Sequence, residues 1–490
     1  MNRIENLDGV AELYDLVIVG AGPAGLAAAA TASELGLTTL VADENPNLGG
    51  QIYRAITTSP VKQRDILGSA YWEGLVLAEG FEKATVDYTP ETTVWSVEPA
   101  RDDEGALIEP NHFEVGLSRN GTARLIQTKR IILATGALER PFPVSGWTLP
   151  GVMTAGSAQI ALKASALVPE GRTVIAGSGP LLLLLADQLK RAGANIVAVL
   201  DTTPRRNFSA ALPKLPEFLC STYAFYGLKL LLKSLFSLPI RNNVSSLTIT
   251  GDERANAITF ISKGRKETID CDQVLLHQGV IPNINMASAL GCELAWNEAI
   301  HGWSPVVDAR LNSSVGGIAI AGDGAGIAGA PSAAIRGKLA AVSAAQALGR
   351  IDSVEGDTLC HALENKLKRL SRGRSFIDRL FQPAQEMLRP SDPTTIICRC
   401  EEVRGQQIRD VVGTLNVQGP NQLKAYLRTG MGPCQGRQCG STVIELIAEQ
   451  RGVAVPEVGH LRLRMPIKPI TLGELASMPQ SVAAKNAVMR

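Results

Sequence analysis

The stretch LVIVGAGPAG, residues 16–25, decides the fold of this 490-residue chain. Its four leading apolar residues predict a buried parallel strand, and the alanine-rich segment that follows predicts a helix. Gly20 permits the tight turn between them, Gly22 lets the backbone approach a pyrophosphate, and Gly25 allows the helix to pack closely on the strand. A pyrophosphate would then lie at the helix N-terminus, beside Ala24, where unpaired N–H groups favour an anion.

A second strand, residues 38–42, completes the βαβ unit and ends at Asp43-Glu44. In dinucleotide-binding units an acidic residue about 20 residues beyond the glycines hydrogen-bonds a ribose hydroxyl. Glu44 has that position, so we predict that it binds the adenosine ribose. The whole strand–turn–helix–strand context, more than the glycines alone, indicates a dinucleotide site.

Three further motifs indicate that the dinucleotide is FAD. LGGQ (residues 48–51), IILATG (131–136) and IAIAGD (318–323) resemble, in this order, motifs of flavoproteins with two dinucleotide-binding domains. The resemblance implies that Asp323 accepts a hydrogen bond from a ribityl hydroxyl. Val94, in a strand-like run, is a weaker candidate for a backbone contact with adenine. Beyond the first unit, the predicted flavin-binding residues are Gly50, Gln51, Val94, Thr135, Gly136, Gly322 and Asp323.

A second βαβ unit spans residues 172–201, and its glycine motif is incomplete. Gly177 and Gly179 are present, but Leu182 occupies the third glycine position. A branched side chain there should push the helix away from the strand and alter the phosphate cradle. A structural remnant, or a pocket for another nucleotide, therefore explains this unit better than a nicotinamide site. The sequence contains no CxxC pair, which excludes the dithiol chemistry of disulfide reductases.

Composition excludes several other classes of protein. Apolar residues make up 45% of the chain, while 48 basic residues face 47 acidic ones and aromatics reach only 4%. This balance argues against a disordered chain and against a nucleic-acid binder. The most apolar segment, 224–240, is interrupted by Lys229 and Lys233, so we expect a buried or amphipathic helix and no transmembrane segment. The N-terminal residues lack an apolar signal region, which predicts a cytoplasmic setting.

Four of the eight cysteines crowd near the C-terminus as Cys398-x-Cys400 and Cys434-x4-Cys439. Four thiolates can hold a [2Fe–2S] cluster or a tetrahedral zinc ion. A single residue between paired cysteines is awkward for zinc, and glycines around the second pair free backbone N–H groups for the sulfurs. We therefore predict a [2Fe–2S] cluster with these four ligands, with zinc and free thiols as alternatives. The segment between the pairs, residues 403–428, has helical spacing of apolar residues.

Taken together, the motifs resemble one family over residues 14–476. They are the stretch GGQIYR (49–54), ATGALER (134–140), GWTLPG (146–151) and the cysteine cluster CRC…GPCQGRQC. The family comprises the α subunits of heteromeric flavin dehydrogenases and oxidases: opine oxidase, D-hydroxyproline dehydrogenase, dye-linked L-proline dehydrogenase and hydrogen cyanide synthase. The C-terminal module is similar to bacterioferritin-associated ferredoxin.

The resemblance implies an FAD and [2Fe–2S] electron-transfer subunit of an enzyme that oxidises CH–NH donors. It implies a separate β subunit, resembling glycine or sarcosine oxidase and carrying its own FAD. It also implies an FMN at the subunit interface, an acceptor such as a quinone and a small third subunit. One alternative is a self-contained NAD(P)H-dependent reductase, and another is a non-catalytic binding module. No residue of the sequence is assigned as a catalytic acid or base.

The predicted fold class is α/β: a Rossmann-like flavoprotein with two dinucleotide-binding domains, followed by a small helical [2Fe–2S] domain. The predicted division of the chain is an FAD domain at 1–150 and 271–350, a second nucleotide-binding-like domain at 151–270, a linker at 351–390, the [2Fe–2S] domain at 391–455 and a tail at 456–490.

Overall fold

A computed structural model describes residues 1–102, 107–108 and 112–478. The first elements in chain order are β1 (Asn2–Arg3), β2 (Leu13–Val19), α1 (Pro23–Glu34), β3 (Thr39–Ala42), α2 (Arg64–Leu67), α3 (Ser69–Trp72), α4 (Gly74–Lys83), β4 (Asp87–Thr89), β5 (Thr93–Pro99), β6 (Phe113–Arg119), β7 (Thr122–Leu133) and β8 (Ala137–Glu139).

The middle of the chain contributes β9 (Val152–Thr154), α5 (Ala155–Ser165), β10 (Arg172–Ser178), α6 (Pro180–Arg191), β11 (Asn195–Asp201), α7 (Arg205–Ala211), α8 (Leu215–Leu219), α9 (Thr222–Ser237), β12 (Ile240–Asn242), β13 (Val244–Thr250), β14 (Ala257–Ser262), β15 (Arg265–Asp270) and β16 (Gln273–Gln278).

The remaining elements are β17 (Val280–Pro282), α10 (Asn285–Ala289), β18 (Leu294–Asn297), β19 (Gly302–Pro305), β20 (Ile318–Ile320), α11 (Ala330–Ala347), α12 (Ser353–Leu370), α13 (Arg374–Leu380), α14 (Gln385–Leu388), β21 (Ile396–Cys398), β22 (Val403–Arg404), α15 (Gly405–Leu415), α16 (Pro420–Leu427), α17 (Gly440–Arg451), α18 (Val455–Val458) and α19 (Leu472–Ser477).

The first sheet brings the predicted flavin motifs to one edge. Its order is β1-β4-β3-β2-β7-β6-β5, and β20 also pairs with β7. Strands β3, β2, β7 and β20 are parallel, and Val19 is in register with both Ala42 and Leu133, while Ile320 is also in register with Leu133. Ligands of open α/β sheets bind at the carboxyl ends of such strands. This topology agrees with the predicted Rossmann-like α/β fold.

Two glycines let helices approach closely behind that edge. A Cβ atom at Gly25 would overlap the carbonyl oxygen of Gly20, and one at Gly337 would overlap the carbonyl oxygen of Ala24. Gly25 lies in the first turn of α1, and Gly337 lies within α11. Helix α1 therefore packs against both its own strand turn and α11 with backbone in contact with backbone.

The second sheet is built from the middle of the chain, in the order β12-β11-β10-β16-β9. All of its pairs are parallel. Strand β16 belongs to this sheet, so the chain returns towards the first sheet only at β17, which pairs with β8. The sequence alone predicts the return at residue 271. A buried apolar strand has the same sequence pattern in either sheet, so only the strands that it pairs with show which sheet β16 belongs to.

The C-terminal module has its own core. The hairpin β21–β22 and helices α15, α16 and α17 enclose it, with Ile397, Ile408, Leu423, Leu446 and Ile447 buried. This confirms the prediction of a small helical domain. The predicted linker, residues 351–390, is largely helical, because it contains α12 and α13.

The apolar segment 224–240 forms most of α9, which is amphipathic as predicted and exposes several large apolar side chains. Among the described residues, we find no helix with the length and apolarity needed to cross a bilayer.

The backbone contact between α1 and α11 generates a stability prediction. Gly337→Ala should lower the free energy of unfolding by about 1–3 kcal/mol or more, because the added methyl group meets the Ala24 carbonyl and the two helices must separate. Urea unfolding followed by circular dichroism measures the change.

Gly80→Ala is the matched control, since Gly80 lies in α4 with no atom within 4 Å of an added Cβ. It should raise stability by about 0.5–1 kcal/mol, as expected of a helical glycine. Equal responses of the two variants would contradict the packing argument.

Candidate cofactor sites

The dinucleotide cradle is a meeting point of two glycine turns. The Gly20 N–H donates to the Ala42 carbonyl oxygen at 2.8 Å, and Gly20 has a φ of +109°, which favours glycine. A Cβ atom at Gly50 would lie 2.8 Å from the Cα of Gly22. The two loops thus touch through bare backbone just before α1 begins at Pro23. A pyrophosphate can approach the backbone N–H groups here without meeting a side chain.

The remaining flavin motifs lie beside this cradle. A Cβ atom at Gly322 would lie 2.8 Å from the Cβ of Ala24. A Cβ atom at Gly324 would lie 3.6 Å from Thr135 Oγ1 and 3.5 Å from the Gly136 carbonyl oxygen. Motifs nearly 300 residues apart in sequence therefore converge on one site, and the bare cradle fits a dinucleotide. Contact of each residue with FAD stays a prediction.

Asp323 holds the turn that leads into α11. Its Oδ1 accepts hydrogen bonds from the N–H groups of Ala328, at 2.8 Å, and Gly329, at 3.1 Å. These contacts fix the carboxylate at the carboxyl end of β20. The predicted hydrogen bond to a ribityl hydroxyl is not tested by them.

Asp43 is a site residue that the sequence spacing did not single out. It is buried, its Oδ2 accepts from the Ala21 N–H at 2.5 Å, and its Oδ1 accepts from the Asn45 N–H at 2.7 Å. Burial raises the pKa of Asp43. Glu44, predicted to bind ribose, is half exposed and forms an ion pair with Lys468 at 2.8 Å. Two adjacent acids at a strand end satisfy the spacing equally, and only the structure shows which one holds the glycine turn.

Val94 and Gln51 differ in how a ligand could contact them. The side chain of Val94 is buried in the core, which leaves only its backbone for a ligand. The nearby Thr92 N–H donates to the Asp43 carbonyl oxygen at 2.9 Å, so this backbone lies close to the adenosine end. Gln51 is exposed, and its Oε1 accepts from Arg54 Nη2 at 2.9 Å. Both assignments stay predictions.

Lys163 connects the layer of the second sheet to the flavin loop, residues 49–54. It lies in α5, and its Nζ donates to the Ile52 carbonyl oxygen at 2.8 Å and to Gln159 Oε1 at 3.0 Å. Its Nζ also lies 5.5 Å from the centroid of the Tyr71 ring. Burial, reinforced by the Arg54 charge, lowers the pKa of Lys163 to about 7.

The four predicted metal ligands are brought together as two pairs. Cys398 is a close neighbour of Cys439, and Cys400 of Cys434, so that the thiols of each pair affect each other's protonation. The Cys439 contact, together with neighbouring backbone N–H groups, lowers the pKa of Cys398 to about 6 against the opposing effect of burial. The described residues contain no group of three or more ligating side chains around a single point. The two pairs also affect each other, because, besides burial, Cys398 raises the pKa of Cys400, and, besides Cys398 and burial, Cys434 raises the pKa of Cys439. Four neighbouring thiols of this kind can hold a [2Fe–2S] cluster.

The glycines of the cysteine loop make room for two side chains. A Cβ atom at Gly432 would lie 3.1 Å from Cys400 Sγ, and one at Gly430 or Gly436 would lie within 2.7 Å of a Leu461 methyl group. The sequence predicts that these glycines free N–H groups for the sulfurs. The backbone of Gly430 helps to lower the pKa of Cys398. In addition, the loop accommodates Leu461 from the tail.

These two sites define the class of the protein: an oxidoreductase that binds FAD and a [2Fe–2S] cluster in one chain. The chain belongs to the pyridine nucleotide-disulphide oxidoreductase family, whose model matches residues 14–349. The model of the BFD-like [2Fe-2S] binding domain matches residues 396–449.

Several related proteins align over almost the whole chain. The opine oxidase A subunit of Rhizobium meliloti is 46% identical over 100% of this chain and 92% of its own length. The HcnB subunit of hydrogen cyanide synthase from Pseudomonas aeruginosa is 30% identical over 93% of this chain and 96% of its own length. The crystal structure of L-proline dehydrogenase from P. horikoshii shares the fold, with a TM-score of 0.69, 20% identity and coverage of 97% of this chain and 80% of that one.

The paired cysteines generate a prediction about metal content. Cys434→Ser should abolish iron and sulfide while leaving FAD bound, because the flavin cradle contains no cysteine. Iron, inorganic sulfide and flavin are measured per chain in the purified variant.

Cys220→Ser is the control, since Cys220 is exposed and outside the cluster module. It should retain full iron and sulfide. Retention of both in Cys434→Ser would exclude the proposed ligand set.

The buried Lys163 generates a prediction about pH. In the unfolded chain a lysine has a pKa of about 10.4, so between pH 7 and 10 the folded state binds fewer protons than the unfolded state. The free energy of unfolding should therefore rise with pH across this window, by up to about 1.4 kcal/mol per pH unit from this group.

Lys163→Met keeps the stem and removes the titrating group. Urea unfolding of the chain and the variant at pH 7.5 and 9 gives the two slopes. An equal dependence on pH in both proteins would show that Lys163 is protonated in the folded state throughout.

Proposed function

We propose that this chain is the electron-transfer subunit of a heteromeric oxidase or dehydrogenase that acts on the CH–NH bond of an opine-type amine. The observation that carries the proposal is the combination of a dinucleotide cradle and a four-cysteine module in one chain that aligns end to end with the opine oxidase A subunit. When bound, FAD accepts two electrons and a [2Fe–2S] cluster carries them singly.

Hydrogen bonds fasten the cysteine loop to the part of the chain that carries the flavin cradle. Asn285 Nδ2, in α10, donates to the Gln435 carbonyl oxygen of the cysteine loop at 3.0 Å. Arg437 donates to the carbonyl oxygens of Cys434, at 3.2 Å, and Ile467, at 3.3 Å. Ile467 in turn donates its N–H to the Trp95 carbonyl oxygen at 2.9 Å. This chain of contacts fixes the cysteine loop on the first sheet's layer, as an electron path between the two cofactors requires.

An exposed apolar face supports a partner subunit. Helices α7, α8 and α9 expose large side chains, and Phe236 is 90% exposed. Leu228 and Leu232 precede Phe236 at intervals of four residues, so the three lie on one face of α9. Exposed apolar faces mark interaction surfaces. Phe208 on α7 and Leu219 on α8 are also exposed. Within this proposal the face binds a β subunit that resembles glycine or sarcosine oxidase.

The proposal keeps the finer predictions made from the sequence and from the family resemblance. They are an FMN at the subunit interface, a small third subunit, a quinone-like acceptor and a cytoplasmic setting. The relatives support partner subunits in general, because two of them are named as subunits of oxidases or synthases.

The second βαβ unit argues against a self-contained NAD(P)H reductase. Leu182 is 1% exposed and lies in the first turn of α6, where a nicotinamide unit needs glycine to bring helix and strand together. In the first unit a Cβ atom at the equivalent position, Gly25, would overlap the Gly20 carbonyl oxygen, so the two units pack differently there. The substrate electrons are therefore expected from another chain.

The proposal is tested by anaerobic bleaching of the flavin. The chain alone should show no bleaching by octopine or by NADH, and no amine-oxidising turnover. Co-expression with a glycine-oxidase-like partner should yield a complex in which octopine bleaches the flavin of this chain. Full turnover by the chain alone would contradict the proposal, and rapid bleaching by NADH would favour the reductase alternative.

Phe236→Glu tests the docking face in the same system. It should prevent co-elution with the partner while FAD and iron contents stay unchanged, since it adds a charge to the apolar patch. Val354→Glu, at a 75% exposed site on α12, is the matched control and should co-elute normally. Co-elution of both variants would place the partner elsewhere.

A further inference from the structure

The four cysteines of the C-terminal module are unequally covered by protein. Cys398 and Cys439 belong to the buried core of the module, whereas Cys400 and Cys434 are partly exposed. Met431, which precedes Cys434 by three residues, is 46% exposed. A cluster held by these four ligands would therefore lie closest to solvent beside Cys400 and Cys434.

The chain segments next to this exposed edge are basic. Residues 411–444 and 458–473 contain no acidic side chain and six basic ones: Lys424, Arg428, Arg437, Arg462, Arg464 and Lys468. Three of the six have partners within the chain, since Arg428 pairs with Glu401, Lys468 pairs with Glu44, and Arg437 donates to backbone carbonyls. The other three form no ion pair with any acid that the structure describes.

These three unpaired cations lie together beside the cysteine loop. Lys424, on α16, has its Nζ 3.5 Å from the Arg462 carbonyl oxygen. Leu461, the neighbour of Arg462, lies against the loop, since a Cβ atom at Gly436 would be 2.6 Å from one of its methyl groups. Burial and the charges of Arg464 and Arg462 lower the pKa of Lys424. The cations repel one another, and an anionic partner surface would relieve that repulsion.

The end of α16 connects the unpaired cations to the exposed edge of the module. The Arg428 Nε donates to Glu401 Oε2 at 3.0 Å, and Glu401 directly follows Cys400. The Met431 N–H donates to the Arg428 carbonyl oxygen at 2.9 Å. Tyr426, on the same helix, is 52% exposed. Tyrosine and methionine are enriched at the centres of protein interfaces, and charged residues lie at their rims.

We propose that the surface formed by Lys424, Tyr426, Met431, Arg462 and Arg464 docks an acidic one-electron carrier protein, which takes electrons from the cluster. The inference rests on the proposed function and names the class of protein that accepts its electrons. Each transfer oxidises the reduced cluster by one electron and reduces the carrier by one electron, and no bond or proton is exchanged. The quinone-like acceptor of the proposed function would then receive its electrons from this carrier.

The test uses cytochrome b5, an acidic haem protein that accepts one electron, and the purified chain with FAD and iron in place. The cluster is reduced with dithionite, the excess is removed, and reduction of the haem is followed by stopped-flow absorbance. Because salt screens the attraction, the second-order rate constant should fall about tenfold between about 10 mM and about 200 mM salt. With cytochrome c, a basic haem protein, it should not fall.

Charge reversal shows whether this surface causes the attraction. Arg464→Glu and Lys424→Glu should each lower the rate constant with cytochrome b5 about threefold at low salt, and the double variant about tenfold. Arg464→Lys keeps the charge and should retain the rate. Lys266→Glu, at an exposed site on β15, is the matched control and should leave the rate unchanged. Unchanged iron, sulfide and flavin contents and an unchanged electron paramagnetic resonance spectrum show that the cofactor sites are intact.

The outcomes separate this inference from the proposed function, because dithionite and not an amine supplies the electrons. Equal rate constants in all variants, or rates that do not respond to salt, would overturn the inference. Binding to phosphatidylserine vesicles that needs the same cations, while the rate with cytochrome b5 does not, would assign the surface to a membrane and overturn it too. Charge-dependent reduction of cytochrome b5 by a chain that accepts no electrons from an amine-oxidising partner would retain the surface and refute the proposed function alone.

Discussion

The structure depends on contacts in which two backbone segments touch with no side chain between them. Gly50 faces Gly22, and Gly337 faces the Ala24 carbonyl, so that two loops and two helices converge at the start of α1. Because no Cβ fits at these contacts, the N–H groups at the head of α1 stay bare for a pyrophosphate. The same constraint that packs the core therefore builds the cofactor cradle.

Sequence patterns predicted the parts of the molecule that are determined by residues close together in the chain. A strand, a glycine turn and a helix within residues 16–34 fix one another, and cysteine spacing identifies the second cofactor. The pattern could not separate Asp43 from Glu44, since adjacent acids at a strand end differ only in which side chain the fold buries. Nor could it place β16, or show that Leu461 occupies the glycine loop, because both depend on partners distant in sequence.

The chain contains two βαβ units, and they differ at the third glycine position of the motif. Gly25 brings α1 onto its strand turn, whereas Leu182 at the equivalent place is a buried core residue. Backbone approach in the first unit is thus replaced by side-chain packing in the second. The layer of the second sheet has structural roles instead: Lys163 of α5 donates to the Ile52 carbonyl oxygen, and α9 carries the exposed apolar face.

The contacts that dock the cysteine module also determine where the charges of this junction lie. Arg140 and Arg437 hold the junction by donating to backbone carbonyls, and this use leaves neither of them available to an anionic ligand. The positive charges at this junction therefore stay inside the protein. The carboxylate of Glu445, which pairs with His301 and with Arg389, supplies negative charge beside them.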